Sequence, residues 1–140
     1  MKTSADLIPL IQKKSAQIPI YIASQMAEKG LKGLSPSHAE ILYYLLREGS
    51  LKMSTISNRI NKDKSTVTAL VNKLIRQGYV KRERSTKDSR IYFIMLTDEG
   101  ERLRPVFNDI SESLVAQFFK PFSKKELYTM HDLLSKIQVA

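Results

Sequence analysis

Cysteine is absent from this 140-residue chain. That removes disulfide bonding, thiolate catalysis and cysteine-based peroxide sensing from the functions open to it. Histidine is scarce: His38 and His131 stand apart, with no His-x-x-x-His pair, so no zinc site is expected. No apolar run approaches the length of a membrane span, and the opening Met-Lys-Thr-Ser-Ala-Asp-Leu lacks the apolar stretch of a secretory leader. The expectation is a soluble, cytoplasmic protein. There is no glycine-rich phosphate loop, no Gly-x-Ser-x-Gly and no His-Glu metalloprotease motif, so neither an enzyme nor a cofactor is expected. Repeats, low-complexity tracts and long linkers are missing too, and the length suits one domain over 1–140. Acidic residues are the minority, 14 against 23 Lys and Arg, for a formal charge of +9. Such an excess favours a polyanionic partner, nucleic acid or acidic lipid, without choosing between them.

Position chooses. From Lys73 to Arg90 the chain carries seven cations (Lys73, Arg76, Lys81, Arg82, Arg84, Lys87, Arg90) and two acids (Glu83, Asp88). This segment follows a strongly patterned helix. Asp63 is a good N-cap, and Gly78 sits where a left-handed C′ residue is usual. Between them Val67, Leu70, Val71 and Leu74 recur at i, i+3, i+4 and i+7, so one face is core. The opposite face collects Ser65, Thr68, Ala69, Asn72, Lys73 and Arg76: small, hydrogen-bonding or cationic, and none acidic. Tyr79–Arg84 and Ile91–Leu96 are β-rich runs joined by the polar turn Ser85–Arg90, which predicts a hairpin. A DNA-reading helix followed directly by a cationic hairpin predicts a winged helix.

Here the chain resembles the MarR family of bacterial and archaeal transcription factors. The resemblance is carried by Asp88-Ser89-Arg90 ahead of Leu96-Thr97, by Ser65-Thr66-Val67-Thr68, by Leu74-Ile75-Arg76-Gln77-Gly78-Tyr79-Val80, and by Thr97-Asp98-Glu99-Gly100. It implies a mainly α fold of six helices with a central winged helix-turn-helix, a two-stranded β-wing, and terminal helices that dimerise. On that plan residues from about 34 to 100 form the DNA-binding lobe, with about 4–30 and 101–138 as dimerisation helices. Two positions depart from the family pattern: Lys52 stands where Ser or Thr usually caps the third helix, and Lys62 where an apolar residue is usual.

The rest of the chain fits this plan. The first helix is expected to begin at Asp6, with Pro9 in its first turn and Pro19 kinking or splitting it. Ser35 as N-cap and Pro36 at N1 open the second helix, with Leu34 placed to staple against Ala39; Gly49 stops it. A short third helix, about Met53–Ile60, ends at Asn61, a residue suited to positive φ. Leu103, Phe107, Ile110, Leu114 and Phe118 mark a long fifth helix that Pro105 bends. The capping box Ser123-Lys124-Lys125-Glu126 starts a sixth, carrying Leu127, Met130, Leu133, Leu134 and Ile137.

The candidate DNA-reading residues are Lys64, Ser65, Thr66, Thr68, Ala69, Asn72, Lys73 and Arg76 on the fourth helix. Asn is able to pair bidentately with adenine, and Lys with guanine or phosphate. Ser54, Thr55 and Lys64 are candidate backbone contacts, and Arg76 is expected at phosphate rather than at a base. On the wing the candidates are Arg84, Lys87, Asp88 and Arg90. The resemblance implies a minor-groove role for Arg90 and a buttressing role for Asp88, and Arg84 is the expected partner of Asp88. The resemblance also implies a site for a small aromatic or phenolic effector, for which Tyr21, Ile22, Met26, His38, Tyr43 and Tyr44 are candidates, although for any one of them ordinary core or interface is the stronger reading. The resulting expectation is a homodimeric regulator binding a pseudo-palindromic DNA operator, most often a repressor in this family, released by an effector. The alternative is a winged-helix interaction module that binds protein or nucleic acid without operator specificity.

Overall fold

The computed structural model describes residues 3–139. Helix α1 (Ser4–Glu28) leads to α2 (Pro36–Glu48), a short strand β1 (Leu51–Lys52), α3 (Met53–Ile60) and α4 (Lys64–Arg76). Strands β2 (Val80–Arg84) and β3 (Tyr92–Leu96) follow, then a single turn α5 (Asp98–Glu101), α6 (Arg104–Phe118) and α7 (Lys124–Ser135). Counting α5 with the helix it leads into, this is the expected six-helix plan.

Local chemistry sets most boundaries. Ser35 accepts from the His38 N–H, Ser123 from the Glu126 N–H and Thr97 from the Gly100 N–H, so α2, α7 and α5 each start on a side-chain cap. Asn61 closes α3 at φ 56°, ψ 48°, the left-handed region that Asn tolerates better than most residues. Two expectations for α1 are corrected. It starts two residues before Asp6, whose carboxylate instead accepts from the Thr3 N–H at 2.9 Å. Pro9 therefore lies in the second turn, and the helix runs through Pro9 and Pro19 without splitting. Pro19 leaves the Ser15 carbonyl without its helical donor, and Ser15 is exposed, which keeps the cost of the lost bond small. Pro105 is not in a helix interior. It sits in the first turn of α6, where a missing N–H is harmless.

The sheet is antiparallel in the order β1-β3-β2. The hairpin has the expected strands, with Arg84 opposite Tyr92 and Val80 opposite Leu96. The addition is β1, where Leu51 pairs with Ile94 and Lys52 with Phe93. Thr97 locks the hairpin base: its N–H donates to the Tyr79 carbonyl at 3.0 Å and its hydroxyl to the Gly78 carbonyl at 2.5 Å.

Ile41, Leu42 and Leu45 of α2, Val67, Val71 and Leu74 of α4, and Ile94 of β3 form the centre of one core. Leu103, Phe107 and Ile110 close it from the α6 side, and Ile22 and Met26 from α1. Leu70, read as core, is half-buried at its margin. The N-terminal half of α1 and the whole of α7 behave differently. Leu7, Leu10, Ile11, Leu133, Leu134 and Ile137 are all exposed, and α7 buries no residue. Among the described residues no helix is long and apolar enough to cross a membrane.

Candidate nucleic-acid interface

Burial of Val67, Val71 and Leu74 turns the polar side of α4 outward, leaving Lys64, Ser65, Thr66, Thr68, Ala69 and Arg76 exposed. The Asp63 carboxylate accepts from the Ser65 and Thr66 hydroxyls, which hold it below the usual carboxylate range. The Thr68 hydroxyl donates to the Lys64 carbonyl at 2.8 Å. All three hydroxyl protons are thus engaged at the helix itself, and their lone pairs are what remains for a ligand. Ser65, Thr66, Ala69 and Arg76 border an open hollow of about 520 Å³ between α4 and the start of α2.

Two residues of the expected reading face are tethered. The Lys73 ammonium donates to the Gly33 carbonyl in the α1–α2 connection. The Asn72 Oδ1 accepts from Arg82 Nη2 of β2 at 3.0 Å. Both are half-buried rather than free. Neither tie is visible in the sequence, because the partners lie 40 and 10 residues away.

The wing also departs from expectation. Asp88 pairs with Arg90, not Arg84. Its Oδ1 accepts from Arg90 Nε at 3.1 Å and from the Arg90 N–H at 3.0 Å, and its Oδ2 from Arg90 Nη2 at 3.2 Å. These bonds, with Lys52 nearby, hold the Asp88 carboxyl below its ordinary value. Arg84 faces Tyr92 across the hairpin, so its guanidinium donates to the Tyr92 hydroxyl and lies 5.0 Å from the ring centroid. Register decides this: it sets Tyr92 opposite Arg84, and the guanidinium is taken up there, while Asp88 lies in the turn. The Arg90 side chain is 88% exposed, so the pairing with Asp88 orients it without burying it. Lys87 is exposed on the same turn.

Three separately predicted residues converge. Ser54 of α3, Lys64 of α4 and Arg90 of the wing border one depression of about 270 Å³, together with Lys52 and Tyr92. Lys52 stands at the N-cap of α3, and its side chain makes no cap hydrogen bond. The residues sequence reasoning missed here are Lys52, Arg82 and Tyr92. The sequence marks Lys52 as a departure at the α3 cap that adds positive charge, without placing it at the interface; the alternation of Arg82 and Arg84 on one strand face is the available signal for the other two. Thr55 is half-buried one residue along α3.

The six effector candidates are only partly assembled. Ile22, Tyr43 and Tyr44 border a cleft of about 380 Å³ between α1, α2 and α6, together with Glu40 and Arg47. Arg47 donates to the Tyr43 hydroxyl at 3.0 Å and lies over its ring. Burial raises the Glu40 carboxyl, partly opposed by Lys62. Met26 is fully buried beneath, and the Tyr21 hydroxyl bonds Ser113 of α6 at 2.5 Å. His38 sits instead in the α2 cap, where its Nδ1 accepts from the Ser35 N–H at 2.9 Å. Burial and Lys73 hold the imidazole below its ordinary value. Among the described residues no group of three or more His, Asp or Glu is placed to hold a metal ion.

Residues 32–91 match the family model described as "MarR family". The HTH-type transcriptional repressor MdtR of Bacillus subtilis (strain 168) is 27% identical over 141 residues, covering 100% of this chain and 91% of that protein. The protein named "Uncharacterized HTH-type transcriptional regulator YkoM", from the same strain, is 30% identical over 104 residues, covering 74% of this chain and 68% of that one. Among solved structures, a MarR transcriptional regulator from Methanosarcina mazei Go1 superposes with a TM-score of 0.76 at 26% identity, covering 91% of this chain and 92% of that one.

Proposed function

The chain belongs to the MarR family of winged-helix transcriptional regulators, and from that premise we propose that it binds double-stranded DNA sequence-specifically as a repressor. The observation carrying the DNA reading is the shared depression of Ser54, Lys64 and Arg90. Three elements bring a hydroxyl and two cations to one place, next to a helix face with no acidic side chain. Phosphate contacts of this kind position a protein, while the outward groups of α4 read base edges. Arg90, oriented but exposed, is the group suited to the negative potential of a narrow minor groove.

The working unit is a homodimer. Leu7 and Ile11 of α1 and Phe122, Met130, Leu133 and Leu134 around α7 border an apolar groove of about 730 Å³ that a second subunit would fill. Such a dimer presents two α4 helices to a pseudo-palindrome. The cleft beside Tyr43, Tyr44 and Arg47 is the seat for a small aromatic acid. Its occupant would release DNA provided it binds the free and DNA-bound states unequally.

Selection from random duplexes tests the reading. A palindrome should emerge, and its affinity should fall by about 10³–10⁵ between 50 and 200 mM salt if roughly 6–10 phosphates are contacted. Salt-sensitive binding with no sequence preference would replace the regulator by a general interaction module.

A further inference from the structure

Arg82 and Asn72 join the wing to the reading helix by one hydrogen bond, and its polarity is unambiguous. Arg82 Nη2 lies 3.0 Å from the Asn72 amide oxygen. A guanidinium offers only donors, so the amide must turn its oxygen toward the wing. Arg82 is itself held in place, with its guanidinium carbon 5.9 Å from the Tyr92 ring centroid. Tyr92 in turn accepts a hydrogen bond from Arg84. Asn72, Arg82, Tyr92 and Arg84 thus form a continuous chain from α4 across the hairpin. Asn72 is half-buried, which limits how freely its amide swings.

We infer that Arg82 is a specificity-determining positioning residue, which fixes Asn72 so that its amide N–H groups, and not its oxygen, face the bases. This rests on the DNA reading proposed above. Bidentate pairing of Asn with adenine needs amide oxygen and nitrogen side by side, one accepting from N6 and one donating to N7. The oxygen keeps a second lone pair, but the Arg82 bond sets the direction of the amide, and with the oxygen aimed at the wing the two N–H groups are left to meet the bases. Guanine offers N7 and O6 acceptors in the major groove, thymine offers O4, and cytosine presents a donor. Adenine also offers N7, but it sets the N6 donor beside it, so Asn72 favours guanine or thymine over adenine and rejects cytosine, and the wing imposes that choice without touching the base.

The test is random-duplex selection with the full-length protein and with Arg82→Met, Asn72→Ala and the double variant. Wild type should prefer guanine or thymine over cytosine at one position per half-site, by about fivefold, the lower end for a base contact. Asn72→Ala should lose that preference. Arg82→Met should relax it or move it toward adenine at the same position, and should add nothing to preference in the Asn72→Ala background. A uniform loss of affinity in Arg82→Met, equal with and without Asn72, would make Arg82 a phosphate contact and overturn the inference. A wild-type preference for adenine lost in Asn72→Ala would overturn it as well. Failure of every protein to select any palindrome would instead sink the regulator reading itself.

Discussion

Gly100 has no room for a β-carbon. One built there would lie 2.1 Å from the Tyr79 carbonyl oxygen and 3.0 Å from a Leu96 methyl. The same carbonyl accepts from the Thr97 N–H, so it is not free to move. Gly100→Ala should therefore lower stability by about 1–3 kcal/mol, the usual range for overpacking, read from urea unfolding. An unchanged midpoint would show that the α5 turn shifts freely. His38 is the second residue-scale determinant. Its Nδ1 is an acceptor from Ser35, so a proton there removes the bond, and burial and Lys73 disfavour the charged form. A histidine with a depressed folded-state value stays stabilising while neutral. Its contribution is complete above the ordinary value of 6.5 and is lost as pH falls from there through the folded-state value. Melting temperature should drop between pH 7 and pH 5, and His38→Ala, though less stable throughout, should show a shallower slope over that interval. Equal slopes would remove His38 from the acid response.

Among the elements, the wing separates function from folding most cleanly. Asp88 engages both the backbone and side chain of Arg90, yet the guanidinium remains in solvent. Arg90→Ala should leave the melting curve within the few tenths of a kcal/mol typical of surface substitutions while weakening operator binding. Operator affinity equal to wild type would take the wing out of the interface. The expected Arg84–Asp88 pair illustrates what a strand pattern leaves open. Sequence alternation places Arg84 on a face, but only the register with β3 sets Tyr92 opposite it. Strand β1 was invisible for a related reason. Two residues carry no alternation, and they are extended here because β3 offers an unpaired edge. Caps, by contrast, are contacts within four residues, so Ser35 and Ser123 were legible directly; Asp63, read as the cap of α4, stands at that position but makes no side-chain cap hydrogen bond, its carboxylate accepting from the Ser65 and Thr66 hydroxyls instead.

At the scale of the whole molecule, apolar side chains are distributed unevenly. The centre of the chain closes its own core, while Leu133, Leu134 and Ile137 stay at 56%, 49% and 58% exposure. If a partner subunit covers these rows, truncation before Ser123 should give a poorly soluble or monomeric product without operator binding. Sedimentation and DNA titration measure both. A well-folded monomer binding a full palindrome as wild type does would overturn the dimer, and with it the spacing of about 34–36 Å that two reading helices need.

The sequence alone determined the family, the helix order and the hairpin, because periodicity, caps and the Asp88-Ser89-Arg90 to Leu96-Thr97 pattern are local signals. It also determined which face of α4 points outward, since Val67, Val71 and Leu74 leave no other face for the core. Tertiary structure decided what the outward groups are free to do. Lys73 is spent on Gly33 and Asn72 is turned by Arg82, while Lys52 joins Ser54, Lys64 and Arg90 in one depression. Helical periodicity fixes a direction around an axis. The hydrogen-bond partner at the end of each side chain depends on which distant segment packs there, and that is settled only when the core brings α4, the wing and the α1–α2 connection together.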